Sequence, residues 1–334
     1  MKKTLRIVGY ILLFVVVAVG ILLSYVKFAL PDIDIPKDLH VEATHERIER
    51  GKYLAYHVTV CMDCHSARDY SLFSAPLIEG SDGKGGEVFD QRFGFPGKFI
   101  AKNITPFNLK EWSDGEIYRA ITSGVKKDGT PIFPVMPYAY YGKMDREDIY
   151  SIIAFLRTLR PIENITEEPK ADFPMNFILN TIPVEANHGK IPDTKNEVEY
   201  GKYLVFSAGC FECHTKPDDK GKKIEGMDFA GGWSFNIGDG KTVTSANITP
   251  DKQTGIGNYS KEAFITRFKT YADSTYQAHK VGKGEFNTIM PWMMYAGMTE
   301  NDLGSIYEYL KTVKPIKNPI EKFVYKPVEI LSLK

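Results

Sequence analysis

Two strings in this chain carry chemistry through their residue types and spacing: Cys61-Met-Asp-Cys64-His65 and Cys210-Phe-Glu-Cys213-His214. Together they use all 4 cysteines. Two cysteines separated by two residues and followed directly by histidine form the attachment signature of c-type haem. Residues three apart share a helix face, so one turn presents both sulfurs to the vinyl edge of a porphyrin. The adjacent imidazole then lies under the iron as an axial ligand. Two strings with no cysteine left over predict two covalently attached haem c groups, with His65 and His214 as proximal iron ligands. A zinc ribbon fits less well, because its cysteine pairs lie about 15–20 residues apart and these are far more distant. A thioredoxin-like redox pair needs only one such motif and no fixed histidine. Two disulfides would not require a histidine in both places.

An iron held this way needs a second axial ligand unless it is an open enzyme site. Methionine sulfur opposite histidine is the usual electron-transfer choice. Of the 10 methionines, Met136 and Met290 stand apart. Each precedes a proline, follows its histidine by seventy-odd residues and comes just before a terminal helix. Proline fixes the backbone and so helps aim the sulfur. Met144 and Met298 also correspond, but lie beside a helix cap and read as core. Met293, Met294 and His57 are rivals by proximity. His279 falls in an insertion, and His40, His45 and His188 read as surface. Asn103 and Asn247 open matching Asn-Ile-Thr-Pro strings, which either bond a haem propionate or the outer nitrogen of the histidine, or form a plain turn.

These residues sit in a duplicated framework. Gly51-Lys-Tyr-Leu54 and Gly201-Lys-Tyr-Leu204 precede the motifs. Asn103-Ile-Thr-Pro106 and Asn247-Ile-Thr-Pro250, then Met136-Pro137 and Met290-Pro291, follow in the same order. A period this long marks a duplicated domain. From cysteine to Asn-Ile-Thr-Pro the second copy is five residues shorter, and from there to Met-Pro it is ten longer. The longer stretch, around Tyr271 to Glu285, reads as a surface loop. Apolar spacing predicts a helix before each motif and one at the end of each copy, the latter capped by Asp145 and Thr299 and stopped by Pro161 and Pro315. Gly51 and Gly201 lie on apolar helix faces, which suggests close helix approach near Phe155 and Tyr309. The expected organisation is an N-terminal membrane anchor over 1–30, a first domain over 40–165, a linker over 166–195, a second domain over 196–320 and a tail over 321–334. Within the linker, an apolar island at Phe173 to Ile182 is expected to pack on one domain.

Ile7 to Val26 carries no charge, and twenty residues of helix span about 30 Å, the thickness of a bilayer core. Lys2, Lys3 and Arg6 precede it, which places the short N-terminus in the cytoplasm. The expectation is a single pass through the bacterial cytoplasmic membrane, with both haem domains in the periplasm. The run exceeds the apolar region of a cleaved signal peptide and lacks a small-residue cleavage site after it. The 42 basic and 42 acidic residues balance, which argues against a nucleic-acid binder.

Each half resembles a class I cytochrome c domain, so the fold expected is all-α, two tandem domains behind a transmembrane helix. The strings quoted above, with Trp112-Ser-Asp and the closing Leu156-Arg-Thr-Leu-Arg-Pro161 and Leu310-Lys-Thr-Val-Lys-Pro315, are similar to the cytochrome c subunits of bacterial membrane-bound alcohol and gluconate dehydrogenases. The resemblance implies thioethers at Cys61, Cys64, Cys210 and Cys213, proximal ligands at His65 and His214, and distal ligands at Met136 and Met290. It implies an electron-transfer protein, not itself an enzyme, working with a dehydrogenase, a quinol-oxidising complex or a terminal oxidase. Two other functions compete with a free membrane-tethered carrier. One is the electron-accepting subunit of a dehydrogenase complex. The other is a dihaem enzyme such as a peroxidase or a thiosulfate-oxidising cytochrome. Those family subunits commonly carry three haems, whereas this chain has two motifs.

Overall fold

The computed structural model describes residues 2–219 and 221–327. The end of the expected tail, residues 328–334, lies outside the described residues. The helix Lys2–Phe28 is long and apolar enough to cross a membrane, and none of its residues is buried. A signal sequence near an N-terminus meets the same description. The chain after it is tied to the first copy. Arg119 donates to the Ile33 carbonyl at 2.9 Å, and the Val41 amide donates to Asp114 at 2.8 Å.

The two copies repeat one arrangement of helices. The first pairs His45–Tyr53 with Arg146–Thr158, and the second pairs Glu197–Ser207 with Glu300–Thr312. Each pair closes over a glycine. A Cβ on Gly51 would run into the Ser151 carbonyl and lie 2.8 Å from the Phe155 Cβ, and a Cβ on Gly201 would run into the Ser305 carbonyl. Glycine costs helix stability, and here the main chains pass too close for any side chain. Asp145 and Thr299 cap the terminal helices, accepting from the amides of Glu147 at 2.9 Å and Asp302 at 3.0 Å. Between the paired helices the chain is mostly loop, with one-turn helices at Tyr138–Tyr141 and Trp292–Tyr295 directly after the Met-Pro pairs.

The protein is not all-α. Each copy carries a three-stranded antiparallel sheet: β1 (Val88–Phe89), β2 (Gly97–Ile100) and β3 (Lys170–Ala171), then β4 (Ser234–Asn236), β5 (Lys241–Thr244) and β6 (Phe323–Tyr325). The register pairs Val88 with Ile100 and Gly97 with Ala171, and in the second sheet Phe235 with Val243 and Thr242 with Val324. The strands are 2 to 4 residues long, too short for alternation of apolar and polar residues to reveal them. β3 comes from the expected linker and β6 from the expected tail, so the third strand of each sheet lies past residues 165 and 320. The apolar island of the linker packs beside β3 and against the N-terminal helix, and Phe173 stays 82% exposed.

The copies dock on each other by matched bonds. Tyr53 donates to Asp302 at 2.5 Å, and Tyr203, its counterpart, donates to Asp148 at 2.6 Å. Each aspartate also has a partner within its own copy: Arg50 forks onto Asp148 at 2.8 and 2.9 Å, and Tyr200 bonds Asp302 at 3.1 Å. Asp148 and Asp302 therefore serve the junction between the copies.

The two length differences between the copies meet at that junction. The longer first-copy loop and the longer second-copy segment pair through an isolated bridge between Leu72 and Lys280. Phe73 stacks on His279 with ring centroids 5.1 Å apart and on Tyr271 at 6.0 Å. The Tyr271 to Glu285 segment lies on the surface, but it is a clasp between copies and not only a tolerated loop. The apolar Phe73, 7% exposed, gives it a partner that the polar character of the segment conceals.

Candidate functional site

Each Cys-x-x-Cys-His string forms its own short helix, Cys61–His65 and Cys210–His214. Each enters from a left-handed residue, Val60 at φ 44° and Gly209 at φ 67°. This turn breaks the preceding helix, so that the motif starts on a new axis. All four cysteines are free thiols. Among the described residues no group of three or more His, Cys, Asp or Glu side chains is placed to hold a metal ion. The sulfurs are therefore not gathered into a cage of the zinc type.

The histidines are held identically. His65 Nδ1 lies 2.7 Å from the Lys102 carbonyl oxygen, and His214 Nδ1 lies 2.7 Å from that of Ala246. With Nδ1–H donating to a carbonyl, Nε2 keeps its lone pair, and no described protein group bonds either Nε2. Burial lowers the pKa of both rings, which favours the neutral form that can bind a metal. The bond to a carbonyl also fixes the ring plane and raises its basicity as a ligand.

The Asn-Ile-Thr-Pro strings act one step behind these carbonyls. Asn103 Oδ1 accepts from the amide and hydroxyl of Thr105 at 2.9 and 2.7 Å, while its Nδ2 donates to the Ile162 carbonyl at 2.8 Å. Asn247 repeats this with Thr249 at 2.9 and 2.7 Å and with Ile316 at 2.7 Å. Neither asparagine touches the histidine. Each string forms a turn, and the turn presents the preceding carbonyl to the imidazole.

Met136 and Met290 are both half-buried and pack against the same hydrophobic core as Cys61 and Cys210. Two tyrosines that the sequence reading missed tie each Met-Pro segment to its motif. Tyr141 donates to the Thr59 carbonyl at 2.8 Å, and Tyr295 donates to the Ala208 carbonyl. Each tyrosine stands five residues after its methionine, and each acceptor two residues before the first cysteine. That repeated offset was the available signal. Burial raises both hydroxyls well above the usual tyrosine value, with Cys61 and Cys64 beside Tyr141 and Cys210 and Cys213 beside Tyr295. Tyr140 donates to Glu212, between the second pair of cysteines, at 2.9 Å.

Several of the other candidates lie in the core or at the junction. Met144 and Met298 are buried core, at 2% and 1% exposure. Met294 is buried in the core, and its carbonyl bonds His57 Nδ1 at 2.8 Å across the junction. His188 is not a surface residue: it is half-buried, with Nδ1 at 2.6 Å from the Met144 carbonyl and Nε2 at 2.5 Å from the Tyr118 hydroxyl.

The donor set fits a haem. Paired free thiols sit one helical turn apart, and the following imidazole is oriented through one nitrogen and unpartnered at the other. Tyr138, two residues beyond Met136, has a buried hydroxyl with no partner among the described residues. Burial pushes its pKa up to about 12, so it remains a donor.

No family model matches the chain. It is 25% identical over 301 residues to the cytochrome c subunit of the quinone alcohol dehydrogenase of Gluconacetobacter polyoxogenes, covering 86% of this chain and 60% of that protein. It is 25% identical over 292 residues to the gluconate 2-dehydrogenase cytochrome c subunit of Pantoea cypripedii, covering 81% and 60%. It is 30% identical over 201 residues to a dihaem cytochrome c-type protein of Cereibacter sphaeroides, covering 58% and 64%. The chain thus spans under two thirds of the length of these relatives.

Proposed function

We propose that the chain is a dihaem c-type cytochrome that carries electrons, one at a time, beside a membrane. Haem c bound at each motif supplies an iron that changes oxidation state without changing its ligands. Cys61 and Cys64 hold one group and Cys210 and Cys213 the other. His65 and His214 are the proximal ligands, and Met136 and Met290 the distal ones. The observation that carries the reading is the duplicated histidine: twice, Nδ1 is fixed to a main-chain carbonyl while Nε2 is left unpartnered beside two free thiols. Because both copies carry the same cysteine, histidine and methionine set, neither is set apart as an open substrate site, which supports a carrier over a dihaem enzyme.

In this reading there are two cytochrome c domains, extended by β3 and β6 past residues 165 and 320. The N-terminal helix anchors them in the cytoplasmic membrane on the periplasmic side. The names of the relatives favour one class of partner, a dehydrogenase that delivers electrons to this chain. A quinol-oxidising complex or a terminal oxidase is the class that would remove them.

The test is a haem count by pyridine haemochrome on the purified chain, together with a redox titration. Two haems per chain, two one-electron steps and no carbon monoxide binding by the reduced protein are expected. One haem, or ready carbon monoxide binding, overturns the proposal. Co-purification of a dehydrogenase from native membranes tests the partner.

A further inference from the structure

The two Met-Pro segments are not held alike. In the first copy the main chain from Met136 to Tyr138 bonds only within its own copy: the Met136 amide donates to the Phe133 carbonyl at 3.2 Å, and the Tyr138 amide to the Met136 carbonyl at 2.8 Å. In the second copy a residue of the first intervenes. The turn itself is repeated, with the Trp292 amide donating to the Met290 carbonyl at 2.8 Å, but the Ser74 hydroxyl also donates to that carbonyl at 2.6 Å and accepts a second, longer bond from the Trp292 amide at 3.3 Å, so it spans Pro291 from both sides. The Ser74 amide donates to Asn287 Oδ1 at 2.9 Å, and the same oxygen accepts from the Thr288 amide at 2.8 Å. The Thr288 hydroxyl in turn accepts from the Met290 amide at 3.0 Å. Both main-chain polar groups of Met290 are therefore held through one network that begins in the other copy.

The loop that delivers Ser74 is strained. Ser74 and Ala75 are consecutive non-glycine residues in the left-handed region, at φ 60° and 44°, and each is 4% exposed. Such conformations are costly and persist only where the surroundings enforce them. Here the enforcing contacts are the bridge from Leu72 to Lys280 and the stack of Phe73 on His279. A loop that only joined two copies would not need its polar groups aimed at the backbone of one methionine.

We propose that Ser74 is a positioning residue that sets the distal methionine of the second haem from within the first domain. The inference rests on Met290 being that ligand. Docking of the two domains then governs the second iron's coordination and leaves the first unaffected.

The test uses the full-length haem-loaded chain and the charge-transfer band of methionine-bound ferric iron, followed through alkaline ligand exchange. Removal of a supporting partner behind a ligand typically weakens metal binding about 10–100-fold. In a Met136→Ala background, which isolates the second site, Ser74→Ala is expected to raise methionine dissociation at least about tenfold, moving the exchange midpoint down by about one pH unit. Asn287→Leu should act in the same direction, and Asn287→Asp, which keeps the acceptor oxygen, should restore the band. In a Met290→Ala background, Ser74→Ala should leave the first site unchanged, which separates positioning from general loosening. If Met290→Ala alone leaves the band whole, the ligand assignment fails. If Met290→Ala removes its share of the band while Ser74→Ala and Asn287→Leu leave the second site's midpoint unmoved, the ligand stands and the positioning role is overturned.

Discussion

Replacement of Gly201 by alanine tests the helix packing from which each copy is built. The added methyl group would collide with the Ser305 carbonyl oxygen and lie 3.1 Å from the Ile306 amide nitrogen. Both obstructions are main chain inside the helix Glu300–Thr312, so no side-chain rotation relieves them. Overpacking of a tight contact costs about 1–3 kcal/mol, and an immovable obstruction belongs at the upper end. Alanine is better than glycine inside a helix by about 1 kcal/mol, which offsets part of the loss. The expected net is a destabilisation of about 2 kcal/mol, or a midpoint lowered by about 3 °C for a chain of this size. Gly304→Ala, on the partner helix, is the matched control. Its methyl group would meet no main chain: the Lys261 Cε lies 2.6 Å and its Nζ 3.4 Å away, at the end of a flexible side chain, and the Ile265 Cδ1 is at an ordinary 3.7 Å. That variant should be unchanged or gain up to about 1 kcal/mol from helix propensity. Thermal and urea unfolding of the full-length chain in detergent, followed by far-ultraviolet circular dichroism, measures both. Should Gly201→Ala be as stable as the parent, or should the two variants shift together, the close-approach argument is wrong.

Other perturbations follow from the junction. Tyr203→Phe and Tyr53→Phe each remove a hydrogen bond to a carboxylate and should each cost about 1.5–3 kcal/mol in urea unfolding. Asp148→Ala should cost more than Asp302→Ala, because it also strands the half-buried Arg50 guanidinium, and a double-mutant cycle with Arg50→Ala isolates that part. Tyr141→Phe leaves the buried Thr59 carbonyl unpaired and should cost about 1–3 kcal/mol in the same assay. Stability should also fall in mild acid. Burial lowers the pKa of His57 and of His188 below 6.5, so the unfolded chain takes up protons that the folded chain refuses. Their contribution is complete above pH 6.5 and declines as pH falls through the lowered folded values. His57→Gln should flatten the pH dependence of urea unfolding between pH 7 and the acid limb, and an unchanged slope refutes the assignment.

Local patterns were more legible in the sequence than the architecture around them. Cysteines three apart with an adjacent histidine are a local pattern, and covalent spacing alone confines them to one helical turn. The duplication made the rest of each copy legible, because every anchor string could be checked against its partner. The glycines on the apolar helix faces and the caps at Asp145 and Thr299 were readable for the same reason: helical period is local. The strands were not legible. β3 and β6 hold two and three residues, and each pairs with a strand far earlier in the chain.

The amino-acid sequence alone displays two Cys-x-x-Cys-His strings, two Met-Pro strings and an apolar N-terminal stretch, each defined by residues near one another in the chain. Only the tertiary structure decided how the copies act on each other. The bond from Tyr53 to Asp302 joins residues 249 apart, and that from Ser74 to Met290 joins residues 216 apart. No periodicity or propensity encodes such a pair, since its stabilisation exists only after both copies have folded and closed the chain between them. The same reason explains why the two unequal loops read as tolerated insertions in sequence and meet as one clasp in the folded protein.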